Sequence, residues 1–538
     1  MKKMNSSAID LFKYKMAIVG MVNILVLSAV LGIQGAGYLG ISLALLTFLI
    51  SFHSCWLSAL AARYVRGRNT RNQHKSSRKF LKGVLIYVFS TGAAFCALFI
   101  LASEGLGSFL IRDIHINICM MVIAVILLVH GICEAVSGYL QGMGFYMPVK
   151  IFLLVKQAAV FAGSIAGMKL LEEYGGKVAR LKHNEAVTSV YGAFGSLLGM
   201  LAGNMAGLIL LLVFCLLLHG ELRSMRSKDN ARYQESSFHG FRVMLGIGLM
   251  QGIKYALLFS PLLINYILYI RLCKTDGNST LWIKTGGFLF GEAVPVMAVL
   301  ILGFVLINHK NYRQLTGYWK NEAYSQFREK VYAMLLGVFL LALPVCAAVS
   351  VLSEPILKCL TKDAAKEGSS ILLYAAAGAV LLILEQTAVK LMELWNETLY
   401  LYLITIVSFA VQTVFAVTAF KAFDLGVSGI MFGGMLQAIL FVIFFFMKFS
   451  RRLKLSGMQL QKLVMALILA MGGALIMLVI YLAVGKKLSA GIAVAVSVVP
   501  GLLLYLAVVT ILRIVSDKDA ACMPGGELFL WLNRILHR

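Results

Sequence analysis

The residues of this chain that could do chemistry are ionisable and amide side chains set inside long apolar runs. Lys254 lies eleven residues past Val243 in the run 243–270, with Pro261 and Asn265 further along it. Glu292 stands about two turns inside the run 286–307, ahead of Pro295. Lys156 and Gln157 fall two turns into 149–170, Asn23 in 16–37 and His53 in 39–62. His130 and Glu134 belong to 116–139, and Glu385 to 370–391. A charge at the centre of a bilayer helix costs at least about 2.5–3.5 kcal/mol, so each needs a partner, a wet cavity or a task. An ammonium facing a cleft donates charge-assisted hydrogen bonds to phosphate oxygens. The chemistry on offer is the binding of an anionic headgroup. Lys254 is the first candidate donor, with Asn23, His53, Lys156, Gln157, Asn265 and Glu292 as cavity residues. An internal ion pair of Lys254 with Glu292 or Glu385 is the structural alternative, and Glu292 is equally a residue of an outer rim. Glu134 and Glu385 read as an inner gate or lobe contact, or as groups snorkelling or capping near the cytoplasmic surface. His53 and His130 each stand alone in a run, which suits a satisfied hydrogen-bonding residue better than a ligand or relay.

Other chemistries lack their residues. No H-x-x-H or H-E-x-x-H spacing offers a metal site, and no G-x-x-x-x-G-K-[ST] loop offers to bind ATP. A G-x-S-x-G elbow is absent, as is a pair of acids in the first outer loop around Gln34–Tyr38. The nine Cys are scattered without a C-x-x-C pair, so neither a metal nor a disulfide framework follows. No cofactor and no enzymatic activity are expected.

The elements that must position these groups are membrane helices. Apolar residues make up 60% of the 538 and charged residues 14%, against roughly 45–50% and 25% in soluble domains. With a mean hydropathy of +0.86, a soluble enzyme, a disordered chain and a secreted disulfide scaffold are excluded. Fourteen runs between 16 and 512 are long enough to span a bilayer. The net charge of +25 sits in the gaps between them, where it encodes topology and meets anionic lipid rather than nucleic acid. With the N-terminus inside, 33 of the 49 Lys and Arg are cytoplasmic, 14 are outside, and Lys156 and Lys254 lie within runs. Both termini are therefore expected in the cytoplasm. The segment 63–82 carries eight basic and no acidic residues, as a topogenic signal on anionic lipid would. Near the end of the chain, Leu528, Trp531, Leu532 and Ile535 share one face of a short helix suited to lie on the inner leaflet.

Landmarks recur about 250 residues apart. SEGLGSFLIRD (103–113) matches SEPILKCLTKD (353–363), and Glu134 ahead of QGMG (141–144) matches Glu385 ahead of MELW (392–395). Six runs separate equivalents, so the two halves share an orientation. The predicted fold class is an all-α polytopic membrane protein of about fourteen transmembrane helices, built as two pseudo-symmetric six-helix lobes plus two C-terminal helices. Its parts are an N-lobe at 1–218, a cytoplasmic inter-lobe linker at 219–242, a C-lobe at 243–448, two added spans in 449–512 and a cytoplasmic tail at 513–538. Parallel repeats of this kind are a plan of secondary transporters, with the substrate near the midplane.

Four segments resemble the multidrug/oligosaccharidyl-lipid/polysaccharide flippase superfamily. They are LGIQGAGYLGISLALLTFLISFHSCWLSALAARYV (31–65), GYLQGMGFYMPVKIFLLVKQ (138–157), LSEPILKCL (352–360) and DLGVSGIMFGGMLQ (424–437). Fourteen spans and short cytoplasmic loops are similar to the polysaccharide-exporter, lipid II flippase and stage V sporulation protein B-like branches. Where lipid II flippases carry arginines in the first two helices, this chain has Asn23, Gln34 and His53. The resemblance implies a flippase in the bacterial cytoplasmic membrane. It would move a polyprenyl-pyrophosphate-linked oligosaccharide or peptidoglycan precursor from inner to outer leaflet by alternating access. Its partners would be that anionic lipid-linked glycan, membrane lipids, and Na⁺, H⁺ or the membrane potential as the driving force. A cation-coupled multidrug exporter and a non-transporting envelope-assembly scaffold are the alternatives.

Overall fold

The computed structural model describes residues 6–229, 231, 235–273, 279–360 and 365–536, which are mostly helical with no strand among them. Parts of the expected linker (230 and 232–234) and of the outer loops at 271–284 and 358–366 lie outside the described residues. Thirteen described stretches of helix are long and apolar enough to cross a bilayer. The first, Ala8–Asn69, holds 62 residues, about 93 Å of helix at 1.5 Å per residue and roughly three times the hydrocarbon core. It breaks at Gly32 (φ 70°, ψ 170°), a conformation open in practice only to glycine. Two spans therefore share that stretch, and all fourteen expected runs are present as helix.

The chain divides into two compact units, 1–291 and 292–538. Unit 1 runs through α1 (Ser6–His53), α2 (Leu57–Asn69), α3 (His74–Leu101), α4 (Ser103–Ile111), α5 (Asn117–Met143) and α6 (Tyr146–Lys182). It continues with α7 (Ala186–Leu217), α8 (His219–Ser227), α9 (Ser237–Val243), α10 (Leu249–Phe259), α11 (Pro261–Leu272) and α12 (Ser279–Gly286). α5 is its core, buried along most of its length. Gly138 and Gly142 let α2 lie against it: a Cβ on Gly138 would stand 2.8 Å from Ser58 Cα, and one on Gly142 2.6 Å from Val65 Cβ.

The tightest seam joins α6 and α7. Gly163 and Gly167 face Gly199 and Gly195, so that a Cβ on Gly163 would stand 2.8 Å from the Gly199 oxygen and one on Gly195 would overlap the Gly167 carbonyl. Apolar helices in lipid gain little from burial alone, and small residues let their backbones close to van der Waals contact. α10 uses the same device against the junction of α1 and α2, pressing Gly252 onto the Phe52 carbonyl and Gly248 onto the Trp56 ring. The run 243–270 is not one helix. A π-turn at Met244–Gly248 precedes α10, and the chain breaks at Ser260 before α11. Pro261 has no N–H to donate and its ring excludes the carbonyl four residues back. Lys254 and Asn265 consequently stand on separate helices.

The end of unit 1 that carries the segment 63–82 is tied by its acids. Asp229 Oδ2 accepts from the Lys75 amide at 2.6 Å, and Arg68 pairs with Glu235 while its guanidinium lies over the Tyr64 and Phe80 rings. Burial pushes the Asp229 carboxyl up, but the amides of Lys75 and Ala231 outweigh it and hold the group below its ordinary range. The segment between α7 and α9 is thus fastened to the basic hairpin 63–82.

Unit 2 runs through α13 (Val294–Lys320), α14 (Tyr324–Gly337), α15 (Leu343–Val351), α16 (Ser353–Leu360), α17 (Ala365–Leu394) and α18 (Thr398–Lys421). It ends with α19 (Gly426–Leu453), α20 (Gly457–Val484), α21 (Ala490–Ile511), α22 (Asp517–Cys522) and α23 (Gly526–Leu536). Aromatic rings fill one end. Trp395 lies 4.7 Å from Phe449 and 6.2 Å from Trp319, which lies 5.4 Å from Phe327. A π-turn at Val338–Ala342 joins α14 to α15. Pro344 cannot donate to the Leu340 carbonyl four residues earlier, and the Tyr505 hydroxyl of α21 donates to it instead at 3.2 Å.

The tail straps onto this unit. Asp519 pairs with Lys462 at 2.8 Å, Lys518 with Glu329 at 2.9 Å, and Lys330 Nζ donates to the Cys522 carbonyl at 2.7 Å. α23 buries Phe529 and exposes Leu528, Trp531 and Ile535.

Candidate functional site

The site is built on one face of α5. Residues 130, 134 and 141 recur at four and seven, which places them along a single stripe of a 3.6-residue helix. His130 Nε2 lies 3.9 Å from Glu134 Oε1, and the Ser54 hydroxyl lies 3.1 Å from His130 Nδ1. Lys13 of α1 reaches the same stripe: its ammonium donates to Ser58 Oγ at 2.9 Å and to Gln141 Oε1 at 3.2 Å. The charges of Lys13 and Lys156 act on Glu134, which Ser58 and His130 also face.

Lys156 enters from α6. Its stem packs where Gly207 of α7 leaves room, 3.2 Å from the place of a Cβ there, and its ammonium lies 5.7 Å from the Phe152 ring. Gln157 beside it approaches α1 at Gly20, 3.1 Å from the place of a Cβ; Asn23 follows three residues on and is half-buried. Lys254 arrives from α10 at the break between α1 and α2. It is 2% exposed, its ammonium is 4.3 Å from the Tyr255 ring centre, and its charge, like that of Glu134, reaches Cys55. Cys55 itself is exposed, and Glu134 and His130 keep 16% and 17% of their side-chain surface. The cluster is recessed but open.

The structure thus brings Glu134, Lys156 and Lys254 of the expected residues into one neighbourhood, with Gln157 and Asn23 along the α1–α6 contact. It does not gather the rest. His53 is buried, its Nε2 2.8 Å from Thr91 Oγ1, with its ring stacked 5.8 Å from Tyr87. Asn265 is buried on α11, and Glu292 in the π-turn Gly287–Ala293. Glu385 stands in unit 2 on α17, 1% exposed beside Gln437 of α19. Neither of its oxygens has a hydrogen-bond partner of ordinary geometry among the described residues.

Three members of the cluster were not legible beforehand: Lys13, Ser58 and Gln141. Lys13 precedes the first apolar run and counts there as a cytoplasmic topology charge. Because α1 begins at Ser6, Lys13 already lies on a helix that carries it to Gln141. Among the described residues no group of His, Cys, Asp and Glu is disposed to hold a metal ion.

In sequence the chain matches no family model and no curated protein. Its fold, however, is shared. An inward-facing multidrug resistance MATE family transporter of the MOP superfamily aligns with a TM-score of 0.59 at 13% identity, over 82% of this chain and 96% of the other. The lipid II flippase MurJ, in an inward closed conformation, aligns with a TM-score of 0.60 at 12% identity, over 93% and 99%. A MOP superfamily transporter from Pyrococcus furiosus, described as having a binding pocket of reversed polarity, gives 0.54 at 15% identity, over 84% and 98%.

Proposed function

We propose that this chain, which has the fold of MOP superfamily transporters, is a flippase for an anionic lipid-linked glycan. Its cargo is an oligosaccharide or peptidoglycan precursor on polyprenyl pyrophosphate, carried from the inner to the outer leaflet of the bacterial cytoplasmic membrane. Residues 1–218 and 243–448 act as the two lobes of an alternating-access carrier, with both termini in the cytoplasm. The observation that carries this reading is the charge of the recessed cluster. Lys13 and Lys156 act on one carboxylate, Glu134, and Lys254 acts with it on the neighbouring Cys55, so the site holds more positive than negative charge and suits a phosphate-rich headgroup. Lysine ammoniums act there as compact point charges with three donors each. An inside-negative potential favours outward movement of the anion by about 2.3 kcal/mol per charge per 100 mV.

The test is flipping in proteoliposomes. Lys254→Ala is expected to abolish translocation of a polyprenyl-pyrophosphate glycan while expression and thermal unfolding stay near wild type; undiminished flipping by that variant removes the headgroup site from α10. Depleting the protein and weighing the lipid-linked intermediate that accumulates then identifies the cargo. One observation favours a second reading, a cation-coupled multidrug exporter. A carboxyl buried like Glu385 persists only when a proton or a cation neutralises it. Drug efflux lost in Glu385→Gln, with glycan flipping absent from wild type, supports that reading instead.

A further inference from the structure

We infer that Glu134 is a resident counter-ion that sets a charge threshold, so that the site admits diphosphate esters and rejects monoanionic phospholipids. The inference rests on the anionic-cargo reading above and names what selects the cargo. A carrier open to an anionic leaflet meets a large excess of singly charged lipid phosphates. A bare cluster of three ammoniums would hold these as well as its cargo. Here the carboxylate of Glu134 already shares that field, acted on by Lys13 and Lys156 and lying beside Ser58 and His130.

The geometry makes the carboxylate replaceable. Lys13 spends its donors on Ser58 and Gln141 and forms no ion pair with Glu134 among the described residues. The basic group nearest the carboxylate is His130, at 3.9 Å. Glu134 therefore offsets the lysines through space rather than by a close ion pair. A diphosphate brings two or three charges and enough acceptors to engage Lys13, Ser58 and Lys156 together, and it outcompetes a single carboxylate. A phosphodiester brings one charge and does not. The charged and titratable groups facing Glu134 are Lys13 on α1, Lys156 on α6 and His130 on its own helix, with Cys55 and Lys254 one step further.

Binding of farnesyl pyrophosphate and of the phosphodiester phosphatidylglycerol to the full chain in zwitterionic nanodiscs tests this. Wild type is expected to favour the pyrophosphate. Glu134→Gln is expected to bind phosphatidylglycerol about ten-fold more tightly, collapsing the preference, whereas Glu134→Asp retains it. If wild type binds the pyrophosphate but Glu134→Gln leaves the preference unchanged, the threshold is overturned while the cargo reading stands. If wild type binds neither, the cargo reading itself fails. Should Glu134→Gln not fold, Glu134→Ala carries the test: loss of preference for the pyrophosphate supports the threshold, and full retention overturns it. Protection of native Cys55 from a charged thiol reagent, in a Cys359→Ser background, reports occupancy independently. Pyrophosphate is expected to protect wild type, and phosphatidylglycerol to protect only Glu134→Gln.

Discussion

The two units of the chain solve one problem, packing apolar helices in an apolar solvent, by opposite means. Unit 1 brings backbones together at glycines, along α6 and α7 and again where α10 meets the junction of α1 and α2. Unit 2 interlocks large rings, with Trp319, Phe327, Trp395, Phe445 and Phe449 in mutual contact. The polar content differs in the same sense. Unit 1 collects lysines, a glutamate and a histidine around α5, whereas Glu385 of unit 2 has an amide neighbour and no ion pair among the described residues. Glycine seams leave helices free of bulky side chains on the packed face, so long polar side chains reach across from their neighbours. Lys156 does so over Gly207, and Gln157 over Gly20. The ring cluster fills that volume, and Lys448 and Arg452 lie over its rings instead.

The contrast is best tested where it is strongest. Trp395→Ala removes the ring at the centre of the aromatic end and is expected to cost about 3–5 kcal/mol of stability, read as a fall in the thermal midpoint in detergent. A loss below about 1 kcal/mol breaks the claim that rings hold unit 2. Gly199→Ala adds a single methyl against the Gly163 backbone and is expected to cost about 1–3 kcal/mol through overpacking. The same change at Gly176, which has open space around it, is the control and is expected to be near neutral. Equal effects at the two positions dissolve the seam.

The smallest effect lies at the membrane surface. Lys448 hydrogen-bonds to Glu397 and holds its carboxyl below the ordinary range, with Arg452 adding to the pull. A depressed carboxyl contributes stability that is fully present above its unfolded pKa, about 4.3, and is lost as pH falls through the folded value. Glu397→Gln is therefore expected to lower stability by less than about 1 kcal/mol at pH 7 and to make no difference at pH 2. A difference that persists at pH 2 assigns the residue a packing role instead.

Much of the architecture is legible from residue order because bilayer thickness leaves few options. Any run of about twenty apolar residues must become a helix, since no water is present to satisfy an open backbone. In the sequence the first two runs divide between 37 and 39, whereas the break falls at Gly32, inside the first run. The composition of the site is half legible. Glu134, Lys156 and Lys254 stand out as charges within apolar runs, and each sits in the cluster. Lys13 does not stand out, because a lysine three residues before such a run is indistinguishable from a topology signal until the helix start is known. Small residues four apart in α7 (Gly195, Gly199, Gly203, Gly207) are visible in the sequence as well, but nothing there names α6 as their partner.

What the sequence by itself determined is the set of membrane-crossing segments and the sites where a charge enters hydrocarbon, because both follow from the cost of removing polar groups from water. Only the tertiary structure decided which charges meet. That depends on helix rotation and on how closely two axes approach, and these are set by packing between segments far apart in the chain. Lys13 meets Gln141 across 128 positions because α1 packs on α5, a condition that no local pattern of residues records.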